Sequence, residues 1–232
     1  MDRQTFEKGI AGAWRGVQTL QLGETFSNGG SLVVNAAFRD LILNPDTSYE
    51  EIFLYGLRNS YYNFLLSDHS FFQFTWFKDN DIRYAYYPNP YLGSDVNNLL
   101  SYKKRLELFQ SEFISYEEFL QILGDAVGIG RIPVIRYENA PDQYKEMAHP
   151  CSHLHIGLHG DDRWSVRRVL TPNAFVLLVL RNYYGTTWRA SEMDEAGRFT
   201  KLDGELRQAR AQSALLPPEQ FTGPEEGMFH VL

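Results

Sequence analysis

Apolar residues recur along the chain at two different spacings, and the spacing changes with position. Residues 2–21 repeat apolar side chains every three or four positions, which is typical of an amphipathic helix. Residues 61–66, 70–77 and 81–88 are short aromatic-rich runs separated by polar turns, which predicts an antiparallel meander of strands. Helical spacing returns near residues 202–212. The pattern therefore predicts, along the chain, helices before, between and after the strands of a sheet.

Capping signals support several of the predicted helices. Ser48 and Glu51 have the spacing of a capping box, so we expect a helix that continues to about Leu57. Further helices are expected at 95–110 and at 115–125. Thr171-Pro172 combines an N-cap residue with a proline at the first helical position, which predicts a helix over 172–184.

The segment from His149 to Tyr184 is the part around which the other elements are expected to be arranged. Side chains alternate along it, so Leu154 and Ile156 share one face and Cys151, His153 and His155 share the other. We expect residues 152–158 and 163–170 to form an antiparallel hairpin. The predicted register sets Leu158 opposite Trp164 and His155 opposite Arg167, and turns the histidines outward or into a cleft.

The order of these elements predicts an α+β fold. We expect an antiparallel (or mixed) sheet of five or six strands with helices packed on it. The prediction is a single domain over 1–216, with a helical N-terminal part (1–58), a sheet-containing core (60–185) and a C-terminal helical part (190–216). Proline and glycine pairs predict that residues 217–232 form a loosely held tail.

Composition narrows the class of protein. A single cysteine excludes an internal disulfide framework and fits a reducing cytoplasm, where we expect the protein to be located. No apolar run approaches the roughly 20 residues that span a bilayer, and no secretory signal is expected. The net charge is −7, yet residues 131–189 carry 8 basic and 5 acidic side chains. Anion binding is therefore expected in this segment.

The candidate site residues lie in the same basic segment. They are His149, Ser152, His153 and His155 as catalytic groups, and Arg167, Arg168 and Arg181 as anion-binding groups. Histidine can accept and donate protons near neutral pH, and arginine can hold a phosphate. If the protein is an enzyme, this combination favours a metal-independent nuclease or phosphodiesterase.

Other interpretations of the histidines stay open. A zinc site would need three or four ligands, and the spacing along the chain supplies no full set, so we expect no metal and no cofactor. Cys151 or a serine could act as a nucleophile with a histidine base. A histidine-triad hydrolase would need a third alternating histidine where Gly157 stands. In a purely structural role, the histidines and Ser152 would hydrogen-bond the loop at 138–148 and the start of the following helix.

The same segment resembles a bacterial family known as Domain of Unknown Function 2290. The residues that carry the resemblance are His149, Pro150, Ser152, His153, Leu154, Gly157, Thr171, Pro172, Phe175, Leu180, Arg181, Tyr183 and Tyr184. The family pattern has threonine where this chain has His155, which favours His149, Ser152, His153 and Arg181 as the shared site.

The resemblance brings no established activity, but it implies a setting. Some relatives are encoded beside a helicase in anti-phage defence operons. It therefore implies a bacterial defence-type accessory or effector subunit that acts on or beside nucleic acid, with a helicase or another defence protein as partner. A non-catalytic protein–protein adaptor and a small-molecule hydrolase are the alternatives.

Overall fold

The computed structural model describes residues 1–92, 96–124, 132–158 and 162–228, and gives the backbone alone for 96–101, 120, 123 and 124. The helices are α1 (Arg3–Thr19), α2 (Ala36–Leu43), α3 (Tyr49–Arg58), α4 (Val96–Gln110), α5 (Tyr116–Gly124), α6 (Pro172–Tyr183), α7 (Gly185–Arg189), α8 (Lys201–Gln212) and α9 (Gly223–Glu226). The strands are β1 (Gly23–Phe26), β2 (Phe64–Leu66), β3 (Phe71–Lys78), β4 (Asp81–Tyr87), β5 (Ile135–Asn139), β6 (Ser152–Ile156), β7 (Trp164–Ser165), β8 (Arg168–Val169) and β9 (Ala214–Leu215).

Within the described residues, seven strands form one antiparallel sheet in the order β1-β2-β3-β4-β5-β6-β7. The α+β class and the meander of β2, β3 and β4 are confirmed. The predicted number of five or six strands is wrong, because β1 adds a further strand next to β2. All four residues of β1 are exposed, so this strand lacks the apolar alternation that marks a half-buried strand.

Helices α1 and α6 bury one face of the sheet, which we call the inner face. Aromatic side chains of β3, β4 and β5, such as Phe74, Tyr84 and Tyr137, form one core with these helices. The helices approach closely: a Cβ on Gly9 would lie 2.7 Å from Pro172 Cδ, and one on Gly16 would lie 2.8 Å from Leu177 Cδ2. Glycine is therefore required in α1 for packing, although it weakens a helix intrinsically.

The opposite face of the sheet, the outer face, is covered only in part. Side chains from α2, α3, α4 and α5 pack there in a second core, which includes Phe53, Phe71, Tyr87 and Phe119. Beyond this core, the outer face carries polar side chains on β3 to β7. The site described below lies in that polar part.

The predicted hairpin is formed only in part. Strands β6 and β7 are antiparallel, but Leu154 lies opposite Trp164, so the predicted pairs of Leu158 with Trp164 and of His155 with Arg167 are wrong. The chain leaves the sheet after β7, and β8 pairs with β9 in a separate two-stranded sheet. Trp164, which the predicted register set opposite Leu158, is 41% exposed. The predicted hairpin loop at 159–163 lies partly outside the described residues.

Part of the segment expected to form a loose tail packs against the domain. Phe221 is buried in the inner core, and Glu225 is buried as well. The Glu225 carboxylate accepts hydrogen bonds from the Tyr144 hydroxyl at 2.9 Å and from the Thr222 N–H at 2.9 Å. Phe221 and Glu225 therefore hold part of this segment against the domain, and the loosely held tail stays a prediction for the rest.

A buried tyrosine fixes the start of α6 to the sheet, and its removal tests this packing. The Leu170 N–H donates to the Tyr137 hydroxyl at 2.8 Å, and this hydroxyl also lies 2.8 Å from Ser152 Oγ. Tyr137→Phe leaves the buried Leu170 N–H without a partner, so the free energy of unfolding should fall by about 1–3 kcal/mol. Urea denaturation measures this change.

Tyr183→Phe is the matched control. The Tyr183 hydroxyl makes no hydrogen bond to the described residues and is half-buried, so its loss should change stability by less than about 0.5 kcal/mol. Equal losses in the two variants would contradict the role assigned to Tyr137.

Candidate functional site

Polar side chains on the outer face lie in two rows that cross the strands. The first row places Thr75, Arg83, Glu138, His153 and Ser165 opposite one another on β3 to β7. The second row runs through Gln73, Ala85, Arg136 and His155. Directly opposed residues on one sheet face have Cβ atoms about 4.5–5.5 Å apart. The register therefore brings together side chains that lie far apart in the sequence.

Three histidines of the segment from His149 to Tyr184, namely His149, His153 and His155, form a cluster, which we call the histidine cluster. The ring centroids of His149 and His153 are 5.1 Å apart, and those of His153 and His155 are 4.8 Å apart. The predicted placement of His153 on the face opposite Leu154 is confirmed. Of the two expected placements, outward or into a cleft, His155 shows the second, since it is 8% exposed at the wall of a cleft, whereas His153 is fully buried.

The hydrogen bond of His153 determines its tautomer. Its Nδ1 lies 2.9 Å from the carbonyl oxygen of Pro150, and a carbonyl only accepts, so Nδ1 carries the proton. Nε2 is buried and makes no hydrogen bond to the described residues. Burial, together with the neighbouring His155, lowers the pKa of His153 to about 3. The ring is neutral near pH 7, and its one proton, on Nδ1, is bonded to the Pro150 carbonyl, so Nε2 presents a lone pair and not an acidic proton.

Glu138 belongs to the same cluster, and the sequence interpretation did not include it. A carboxylate oxygen of Glu138 and one ring nitrogen each of His153 and His155 all lie within 4.8 Å of one another. Oε1 of Glu138 accepts from Arg83 Nε at 2.9 Å and from Arg83 Nη2 at 2.8 Å. The alternation along β5 places Arg136 and Glu138 on one face, but the partner strand is needed to bring them to the histidines.

A cleft of about 400 Å³ opens beside this cluster on the outer face, and we call it the outer-face cleft. Arg136 lies in it, and its Nε is buried without a hydrogen-bond partner among the described residues. The wall of the cleft includes Arg39, Arg83, Arg136, Glu138, His155, Phe77, Val34 and Leu43. The wall therefore combines guanidinium groups, apolar side chains and one carboxylate.

The other predicted site residues lie elsewhere. Ser152 is on the inner face, where its hydroxyl donates to the carbonyl oxygen of Arg168 at 2.8 Å. Arg168 donates to the carbonyl oxygen of Ser213 at 2.7 Å, and Arg167 pairs with Glu226. Arg181 pairs with Asp203 of α8 at 3.0 Å. The structure thus brings His149, His153 and His155 together and separates them from Ser152 and from these arginines.

The resemblance seen in the sequence is supported by a family model that extends far beyond the central segment. The model described as "Uncharacterized conserved protein (DUF2290)" matches residues 22–231. The chain belongs to this family. No curated protein and no solved structure matches the chain. Among its described helices, none has the length and apolar character needed to cross a membrane.

Cys151 is the one thiol of this DUF2290 chain, and the structure argues against its use as a nucleophile. Its side chain is buried in the inner core with Leu154, so the prediction that it shares a face with His153 and His155 is wrong. Burial raises the pKa of the Cys151 thiol to about 12. The thiolate is the reactive form of cysteine, so this thiol is inert near neutral pH.

Thiol labelling tests this assignment. Because Cys151 is buried and protonated, an aromatic disulfide reagent at pH 8 should not react with the folded protein during the assay. The same reagent should titrate one thiol per chain after unfolding in urea. Rapid labelling of one thiol in the folded protein would show an accessible thiolate and would contradict the assignment.

Proposed function

We propose that this protein binds nucleic acid and that a single-stranded segment lies in the outer-face cleft. The observation that carries the proposal is Arg136, a half-buried arginine with no acidic partner among the described residues. An arginine held in a cleft without a counter-ion favours an anionic ligand. Its planar guanidinium can hold two phosphate oxygens at once.

The charge of the cleft supports an anionic ligand. The protein carries a net charge of −7, whereas the cleft wall has three arginines and one carboxylate among the described residues. Arg39 pairs with Asp40, but both side chains are more than half exposed, so a phosphate can compete for Arg39 at little cost. Arg83 is held by Glu138, whereas Arg136 has no acidic partner in the part of the chain that the structure describes.

The apolar rim supports an unpaired strand as the ligand. Phe77 is 40% exposed, and Arg83 lies over its ring with 5.0 Å between Cζ and the centroid. Val34 and Leu43 line the same cleft and are 49% and 71% exposed. Aromatic and guanidinium planes stack on the bases of single strands without reading their sequence. We therefore expect affinity for single strands with little sequence preference.

The wider biological setting remains a prediction. The defence role, the helicase partner, the bacterial origin and the cytoplasmic location follow from the family resemblance and the composition. The adaptor and the small-molecule hydrolase stay alternative predictions. Binding to nucleic acid through the outer-face cleft is the part of the prediction that the side-chain geometry supports.

Fluorescence anisotropy with a labelled single-stranded oligonucleotide of mixed sequence tests the proposal. Affinity should fall as salt rises, because each phosphate contact releases a bound cation. Arg136→Gln should weaken binding about tenfold and reduce the dependence on salt by about one ion. The change is expected to leave the melting temperature nearly unaltered, since the Nε of Arg136 has no hydrogen-bond partner among the described residues.

Arg181→Gln is the matched control, because this arginine was predicted from the sequence as an anion holder but pairs with Asp203 near α8. Its affinity for the oligonucleotide should equal that of the unmodified protein. Absence of binding at low salt would overturn the proposal. So would a loss of affinity in Arg181→Gln that matches the loss in Arg136→Gln.

A further inference from the structure

The outer face holds a donor set that fits a metal ion, and this is independent of nucleic-acid binding. We propose that Glu138, His153 and His155, here called the metal triad, bind one divalent transition-metal ion of the zinc class. Two imidazoles and one carboxylate are the protein ligands found in several catalytic zinc sites. The expectation of no metal was based on ligands counted along one segment, whereas Glu138 comes from the neighbouring strand β5.

The sheet register assembles the metal triad. Glu138 lies directly opposite His153, and His155 follows two residues later on the same face of β6. The three ligand atoms lie within 4.8 Å of one another. Zinc ligands at about 2.0–2.2 Å from the ion are about 3.5 Å apart in a tetrahedron, so the side chains must move inward by about 1 Å. Side-chain rotation on adjacent strands can supply a movement of this size.

His153 supplies a second, independent observation. The residue is 0% exposed, its Nδ1–H is directed to the Pro150 carbonyl at 2.9 Å, and its Nε2 has no hydrogen-bond partner among the described residues. A buried polar atom without a partner is costly. Histidines that bind metals commonly donate their other N–H to a backbone carbonyl, which points the free nitrogen at the ion. His153 has this arrangement.

Glu138 is oriented in a comparable way. Arg83 donates from Nε and Nη2 to Oε1 of Glu138, at 2.9 and 2.8 Å. These bonds limit the rotation of the carboxylate, as outer-shell partners of metal ligands do. The perpendicular ring contacts in the histidine cluster explain how the rings pack, but they do not use the Nε2 lone pair of His153. A bound ion would use the Nε2 lone pair of His153 and would account for the fixed orientation of the Glu138 carboxylate.

The position of the metal triad relates it to the outer-face cleft. Glu138 and His155 both line this cleft, in which Arg136 also lies. An ion held there would be next to the anion that we propose for the cleft. The inference nevertheless stands on the geometry of the ligands, so failure of nucleic-acid binding would leave it intact.

Calorimetric titration tests the inference. The full chain is treated with a chelator, dialysed, and titrated with zinc, and its melting temperature is followed in parallel. We expect one zinc per chain, with a higher melting temperature in the zinc-bound form. Glu138→Gln preserves the shape of the side chain and removes its charge, and His155→Gln removes an imidazole. Each should weaken zinc binding by at least about 100-fold, more than the loss of an outer-shell partner does.

His149→Gln is the matched control, because His149 belongs to the histidine cluster but lies outside the metal triad. It should bind zinc as the unmodified protein does. Absence of binding at micromolar zinc would overturn the inference. Binding that survives both triad variants, or that is lost in His149→Gln, would also overturn it.

A cobalt(II) spectrum of the unmodified protein decides the matter if both triad variants unfold. Bound cobalt(II) should show visible absorption typical of an asymmetric nitrogen and oxygen site. A spectrum like that of aqueous cobalt would refute the site.

Discussion

The pairing of β5 with β6 is the interaction on which the proposed site depends. It places Tyr137 opposite Leu154 on the inner face and, in the next position, Glu138 opposite His153 on the outer face. A shift by one residue would move Leu154 out of the core and bring His153 into it, so burial of the inner face excludes that shift. Burial alone does not exclude a shift by two residues, which preserves the faces.

Hydrogen bonds around Tyr137 exclude the two-residue shift. The Tyr137 hydroxyl contacts Ser152 Oγ on β6 and accepts from the Leu170 N–H just before α6. A shift of two positions would break these contacts, which join the sheet to the start of the buried helix. Ser152 therefore contributes to the site through the inner face, because it helps to fix the register that brings Glu138 and His153 together.

The starts of helices could be predicted from the sequence because the residues that cap a helix lie within a few positions of one another. Residues Ser48 and Glu51 form the predicted capping box, and Thr171 caps α6 as expected. The wrong predictions concern partners in space. The predicted pair of His155 and Arg167 required a long hairpin, but β7 has two residues and the chain then pairs with β9. Glu138 and Arg136 were missed because only the register of neighbouring strands relates them to the histidines.

The pairing of β5 with β6 in this register creates the proposed metal-binding position. Anomalous diffraction from crystals soaked in zinc locates such an ion without any assumption about activity. We expect one strong anomalous peak within about 2.3 Å of the Glu138 carboxylate and of one ring nitrogen each of His153 and His155. A peak that involves His149 or Cys151 without Glu138, or no peak at the metal triad, would contradict it.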